Sequence, residues 1–242
     1  MNSVRADSMP ASAEAMDAAR GMMEPPPPPT EGKPEWWANP TVVGLMGFGT
    51  TTMLVGLANL PQPYGGGFGN VAGAGPTTAN WAAYGTAIAF GGIAQLLAGI
   101  IALRKGNLFA GSAFMGYGSF WLAFTLMMNG WTAGAFGVVG NPGAYYGLAG
   151  FAFIWMLFTF TFLINAPKHG WGILMVFLFL FIAFILLVVK FYSLAAGQTT
   201  FDVDGAANWA VGGAIIFDGL MAWYVATAEM TNSNYGRRML PV

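Results

Sequence analysis

The groups with which this 242-residue chain could do chemistry are few and lie inside otherwise apolar runs. Asp218 stands about midway along one such run and Lys190 near the end of another, while Gln95, Tyr117, Ser119, Asn129 and the run Thr50-Thr51-Thr52 add neutral donors and acceptors. Cysteine is absent, which excludes disulfides, thiolate metal sites and cysteine nucleophiles. His169 is the single histidine and cannot build a multi-histidine metal site. No Ser–His–Asp set and no paired carboxylates on one helix face occur, so we expect no enzyme, no cofactor and no metal site. Gly65-Gly66-Gly67 resembles a phosphate cradle only superficially, because no GxxxxGK[ST] follows and no strand precedes it. What remains is passage of a solute, governed by pore width, hydrogen-bond donors and electrostatics. For any single polar group the alternative is an interhelical hydrogen bond.

An ionisable residue inside an apolar span is a functional hypothesis by default. If ionised, Asp218 would repel a carboxylate on the same path, so it is our candidate for proton coupling and not for anion binding. The alternative is a paired or protonated packing group. Lys190 differs from it in depth by roughly 9 Å. Its expected behaviour is to snorkel to the outer headgroups, with a reach toward Asp218 as the other reading.

These groups need elements to position them, and composition says which. Hydrophobic residues make up 56% of the chain and charged residues 8%, against about 25% charged in soluble proteins. So few charges cannot cover a water-facing surface. Six apolar runs cover approximately Val42–Leu60, Trp81–Leu103, Leu108–Met128, Tyr145–Leu163, Trp171–Ala195 and Ala206–Thr227. Each is near the ~20 residues that cross ~30 Å of hydrocarbon. The runs are continuous instead of alternating, which argues against a β-barrel. The expected fold is therefore all-α, a polytopic membrane protein with six transmembrane helices. The 35 glycines suit helices packed closely in lipid. Residues 1–37, with the run Pro25 to Pro29, read as a disordered Pro-rich cytoplasmic tail, and residues 38–242 as the membrane domain. Arg104, Lys105, Lys168, Arg237 and Arg238 fall in loops on one side, Asp202 and Asp204 on the other. By the positive-inside rule both termini are cytoplasmic, in a multi-pass protein of the plasma or inner membrane. A net charge of −1 gives no reason to expect nucleic acid as a partner.

The opening Asn39-Pro40-Thr41-Val42-Val43-Gly44-Leu45-Met46-Gly47-Phe48 resembles the Asn-Pro-Ala-Pro-Leu-Gly-Leu signature of the acetate uptake transporter (succinate–acetate permease) family. Further stretches resemble it too: Phe90-Gly91-Gly92-Ile93-Ala94-Gln95, Lys105-Gly106-Asn107, Tyr117-Gly118-Ser119-Phe120-Trp121, Tyr235-Gly236-Arg237 and Leu240-Pro241. Val42 departs from the family's usual second proline, and the first outer loop is longer and Gly-rich. Asn39, Pro40, Gly44 and Leu45 are the motif residues carried over. The resemblance implies a channel or permease for small monocarboxylates, chiefly acetate and with succinate as a further candidate, assembled as a homohexamer in the bilayer with one pore per protomer. It also implies a narrow apolar gate, carried over to Phe48, Tyr117 and Phe181. Gln95, Thr50, Thr51, Ser119 and Asn129 are the expected polar lining of the path. The competing readings are a channel for urea, amides or ammonia, and a membrane protein without a pore.

Overall fold

The computed structural model describes residues 38–61, 78–128, 142–201 and 205–242. The expected tail, Asn129, Asp202, Asp204 and most of the first outer loop lie outside the described residues. Six long helices follow one another: α1 (Thr41–Asn59), α2, α3 (Leu108–Met128), α4 (Pro142–Leu163), α5 (Trp171–Ala195) and α6 (Asn208–Tyr235). Helix α2 has three consecutive parts, α-helical Thr78–Thr86, π-helical Ala87–Ala94 and α-helical Gln95–Arg104. No strand occurs among the described residues. Among the described residues five helices are long and apolar enough to cross a membrane. The other, α3, has 21 residues, about 31 Å at 1.5 Å per residue, but its glycines, Tyr117 and Thr125 make it less apolar.

Three helix ends lie three or more residues beyond the apolar runs. Helix α6 continues to Tyr235 although apolarity stops near Thr227. Its 28 residues span about 42 Å, more than the ~30 Å of hydrocarbon, so the last turns carry polar side chains. It stops at Gly236, whose φ of 61° is the left-handed conformation that ends helices at glycine. Beyond it Asn232 Oδ1 accepts from the backbone N–H of Met239 at 2.6 Å and of Leu240 at 2.9 Å, and Tyr224 Oη donates to the carbonyl of Pro241 at 2.7 Å. Helix α2 starts at Thr78 and α4 at Pro142, each three residues before its apolar run does.

In lipid, helices gain nothing by hiding apolar surface from one another, so close backbone approach must hold them. Helix α1 packs most extensively on α6, α2 on α3 and α4 on α5. In the first pair Gly49 and Gly56 meet Gly219 and Gly212: a methyl added at Gly49 would stand 2.7 Å from the Gly219 carbonyl oxygen, and one added at Gly212 would stand 2.8 Å from that of Gly56. The second pair repeats the device, with Gly92 and Gly99 facing Gly118 and Gly111; methyls at Gly118 and Gly99 would each lie 3.1 Å from the facing carbonyl. In each helix the two glycines are seven residues apart, so both fall on one face. The third pair has no such contact and interlocks rings instead, Phe162 on Phe177 at 5.3 Å and Phe160 against Phe181 at 5.7 Å.

Adjacent glycines on α6 separate packing from propensity. Gly212 is closed in by Leu60 and Gly56, whereas a methyl at Gly213 meets nothing within 4 Å. Gly212→Ala should destabilise by about 1–3 kcal/mol through overpacking, and Gly213→Ala should be neutral or stabilise by up to about 1 kcal/mol. Thermal unfolding in detergent reads both; equal shifts would remove the backbone contact from its assigned role.

Candidate functional site

Three helices present a lining stripe to the interior at alternating steps of three and four residues. On α1 it runs Thr41, Leu45, Phe48, Thr52, Val55, Asn59; on α3 Ala110, Ala113, Tyr117, Phe120, Phe124; on α5 Ile173, Val176, Leu180, Ala183, Leu187. The spacing keeps each set on one helix face. The stripes bound two cavities, one of about 220 Å³ and one of about 50 Å³. The larger lies at the end that carries the basic loops, with Asn39, Asn107, His169 and Glu229 in its wall. The smaller lies toward the other end and includes Asn59 and Asp218.

Phe48, Tyr117 and Leu180 line both cavities, one from each stripe, and so form the septum between them. They are 4, 3 and 7% exposed. Phe48 and Tyr117 meet edge to face with ring centroids 5.5 Å apart, the favoured geometry for an aromatic pair. Tyr117 is fixed from α4. Thr159 Oγ1 gives its proton to the Trp155 carbonyl at 2.7 Å, so the 2.9 Å contact between the two hydroxyls has Tyr117 as donor. Phe158, Phe162 and Phe177 surround its ring at 5.4–6.3 Å.

The expected lining residues divide by where their donors go. Gln95 lines the larger cavity from α2, is buried, and its Oε1 has no partner. It begins the α-helix that follows the π-helical stretch, its N–H reaching the Phe90 carbonyl. Thr50, Thr51 and Thr52 each donate to the carbonyl four residues back, at 2.7, 2.9 and 2.7 Å. Only Thr52 borders a cavity. Thr50 instead accepts from Trp223 Nε1 at 2.9 Å, joining α1 to α6. Ser119 is exposed and donates to Met115. Phe181 borders neither cavity and packs on Phe160. The α5 residue at the septum is its neighbour Leu180, one step of about 100° around the helix. Sequence reasoning missed Leu180, although the three-four spacing of apolar residues through Val176, Leu180 and Ala183 carries it.

The motif residues have local work. Asn39 Oδ1 accepts from the Thr41 N–H at 3.0 Å at the start of α1, its Nδ2 donates to Glu229 at 3.4 Å, and it borders the larger cavity. Pro40 occupies the N-cap, where it has no N–H to leave unpaired. Gly44 makes room for the Phe114 ring, and Leu45 joins the lining stripe.

Lys190 does not snorkel. It is 0% exposed, and its ammonium donates to Asn59 Oδ1 at 2.9 Å. Its place on α5 turns it toward α1 instead of the headgroups, and Asn59, itself tied to the Val55 carbonyl at 2.9 Å, is the partner it finds there. Asp218 is also 0% exposed, and neither carboxyl oxygen has a partner.

The chain matches the GPR1/FUN34/YaaH family over residues 21–241. The chain belongs to this family. As a GPR1/FUN34/YaaH member it is similar to the succinate-acetate/proton symporter SatP of Escherichia coli strain K12, at 31% identity over 85% of this chain and 95% of that one. Acetate permease A of Emericella nidulans is 31% identical over 85% of this chain and 66% of its own length. Among solved structures, that of the bacterial acetate channel SatP superposes with a TM-score of 0.66 at 31% identity, covering 85% of this chain and 99% of that one.

Adjacent α5 residues test the septum. Leu180→Ala should widen it and raise solute flux several-fold with a larger size cut-off, while Phe181→Ala should leave both unchanged. Flux through reconstituted vesicles decides; equal behaviour of the two variants would take Leu180 out of the constriction.

Proposed function

We propose that this GPR1/FUN34/YaaH protein is a transmembrane channel or permease for small monocarboxylates, acetate foremost. The observation that carries the reading is the pair of cavities meeting at Phe48, Tyr117 and Leu180 in a chain so similar to a solved acetate channel. An apolar constriction of this kind gates by dewetting, so a solute must shed water to cross. A small carboxylate does so most readily where neutral donors such as the Gln95 amide lie close by and no exposed cation traps it.

In the proposed orientation both termini are cytoplasmic in a cell membrane, because Arg104, Lys105, Lys168, Arg237 and Arg238 share one end of the bundle. The larger cavity then opens to the cytoplasm. Each protomer has its own path, and assembly as a homohexamer fits the helix faces left bare: Gly85, Gly147 and Gly150 have nothing within 4 Å in the protomer, and small residues favour helix contacts in lipid.

Radiolabelled acetate and urea, offered to the same proteoliposomes, discriminate between a carboxylate path and a neutral-solute path. Acetate uptake should exceed that of protein-free vesicles several-fold, with urea at background. Urea uptake with acetate at background would reverse the assignment.

A further inference from the structure

The three helices that carry the lining stripes run in one direction, which leaves the two halves of the path electrically unlike. Helices α1, α3 and α5 enter the wall of the larger cavity by their first turns, at Thr41, Ala110 and Ile173. They leave the wall of the smaller one at or within four residues of their last residues, at Asn59, Phe124 and Phe191. Helices α4 and α6 begin at this far end, but their first wall residues there, Leu148 and Ile215, lie six and seven residues in. A helix N-terminus carries about half a positive charge and a C-terminus about half a negative one, felt mostly within the terminal turn. Before any side chain is counted, the larger cavity therefore favours an anion and the smaller does not.

Side chains deepen the contrast. In the wall of the larger cavity the acid, Glu229, accepts from Asn39 Nδ2. In that of the smaller, both Asp218 oxygens lack a partner, and Thr52 has given its proton to the Phe48 carbonyl. The indole N–H of Trp121 is the donor left without an acceptor there. None of α1, α3 and α5 has a basic residue in its last turn. Arg104, Lys105, Lys168, His169, Arg237 and Arg238 all belong to the other end, so among the described residues Lys190 is the one basic side chain of this half.

Along α5 Lys190 stands about 15 Å beyond Leu180, and along α1 Asn59 stands about 16 Å beyond Phe48, at 1.5 Å per residue. At that shared depth the ammonium donates to Asn59 Oδ1 at 2.9 Å, while Asn59 Nδ2 donates to the Val55 carbonyl at 2.9 Å. The contact does two things. It occupies the Asn59 oxygen, the atom of that amide which would oppose an anion, and it sets a positive charge one amide away from the path. Lys190 is wholly buried and borders neither of the two cavities. A passing carboxylate thus feels the charge without forming an ion pair that would hold it. We propose that Lys190 is a specificity-determining residue: from behind Asn59 it supplies the positive potential that lets a carboxylate, and not a cation, occupy the far half of the path. The assignment rests on the carboxylate reading above.

Leu187 borders the smaller cavity one turn before Lys190 and allows a test that does not depend on transport. In Leu187→Cys, made in the cysteine-free chain, a sulfonate-bearing and a trimethylammonium-bearing thiosulfonate are compared, each rate divided by that with free cysteine. The anionic reagent should be favoured. Adding Lys190→Met should lower the anionic-to-cationic ratio at least about tenfold. Lys190→Gln should lower it likewise although it keeps a donor for Asn59, and Lys190→Arg should preserve it. Labelled acetate in proteoliposomes supplies the second readout. Lys190→Met and Lys190→Gln should raise the half-saturating acetate concentration for entry at the far face at least about fivefold, with Lys190→Arg close to wild type. A ratio unmoved by both neutral variants, or a ratio that falls while acetate entry is unchanged, would overturn the role of Lys190 and leave the transport reading in place. No acetate uptake by the wild type would instead overturn the transport reading. If the cysteine reacts with neither reagent, the acetate measurement decides. Should neither neutral variant assemble, Leu187→Cys decides alone, and equal reactivity or a preference for the cationic reagent would sink the proposal.

Discussion

Helices α1 and α6 touch through their backbones, Gly49 against Gly219 and Gly56 against Gly212, and the lining of the path hangs on that contact. In a soluble protein the burial of apolar side chains would hold two such helices together. Here lipid removes that force, and van der Waals contact between backbones takes its place. The glycine face of α1 lies against α6, leaving the face with Leu45, Phe48, Thr52 and Asn59 for the interior. The same device between α2 and α3 sets the position of Tyr117, one residue before Gly118. Residue types that read as weak helix formers are thus the ones that fix the geometry of the septum.

Electrostatics divides the path into unequal halves. The larger cavity has polar groups that water and a carboxylate can both use: Gln95, Asn39, Asn107 and His169. The smaller is walled mostly by rings and aliphatic chains, with Thr52, Asn59 and the Asp218 carboxyl among them, and Lys190 stands behind Asn59. A carboxyl and an amine buried this way in low dielectric are costly. The amide of Asn59 offsets part of that for Lys190, and among the described residues nothing hydrogen-bonds the Asp218 carboxyl.

Much of this was legible in the residues. Continuous apolar runs gave six helices, with α3 and α5 bounded as the runs are, because no water-facing period interrupts them. The ends of α6 and α2 were not legible from apolarity, since a helix continues past the hydrocarbon wherever a stop such as Gly236 is absent. Phe48 and Tyr117 stand together, whereas Phe181 sits one position off the stripe that Leu180 occupies; a motif match without helical phase cannot tell neighbours apart. The threonine run offers donors and acceptors by residue type, but a hydroxyl in a helix satisfies itself on the carbonyl four residues back. Sequence alone points Lys190 toward the headgroups, because it does not show that Asn59 lies across from it.

One septum divides the path, and the cysteine-free chain allows it to be probed from each side. Ala113 lines only the larger cavity and Ala183 only the smaller. Single cysteines at these positions, exposed to a membrane-impermeant thiol reagent in right-side-out and inside-out vesicles, should each react from one side alone, and from opposite sides. Reaction of either cysteine from both sides, or of both from the same side, would contradict a closed septum at Phe48, Tyr117 and Leu180.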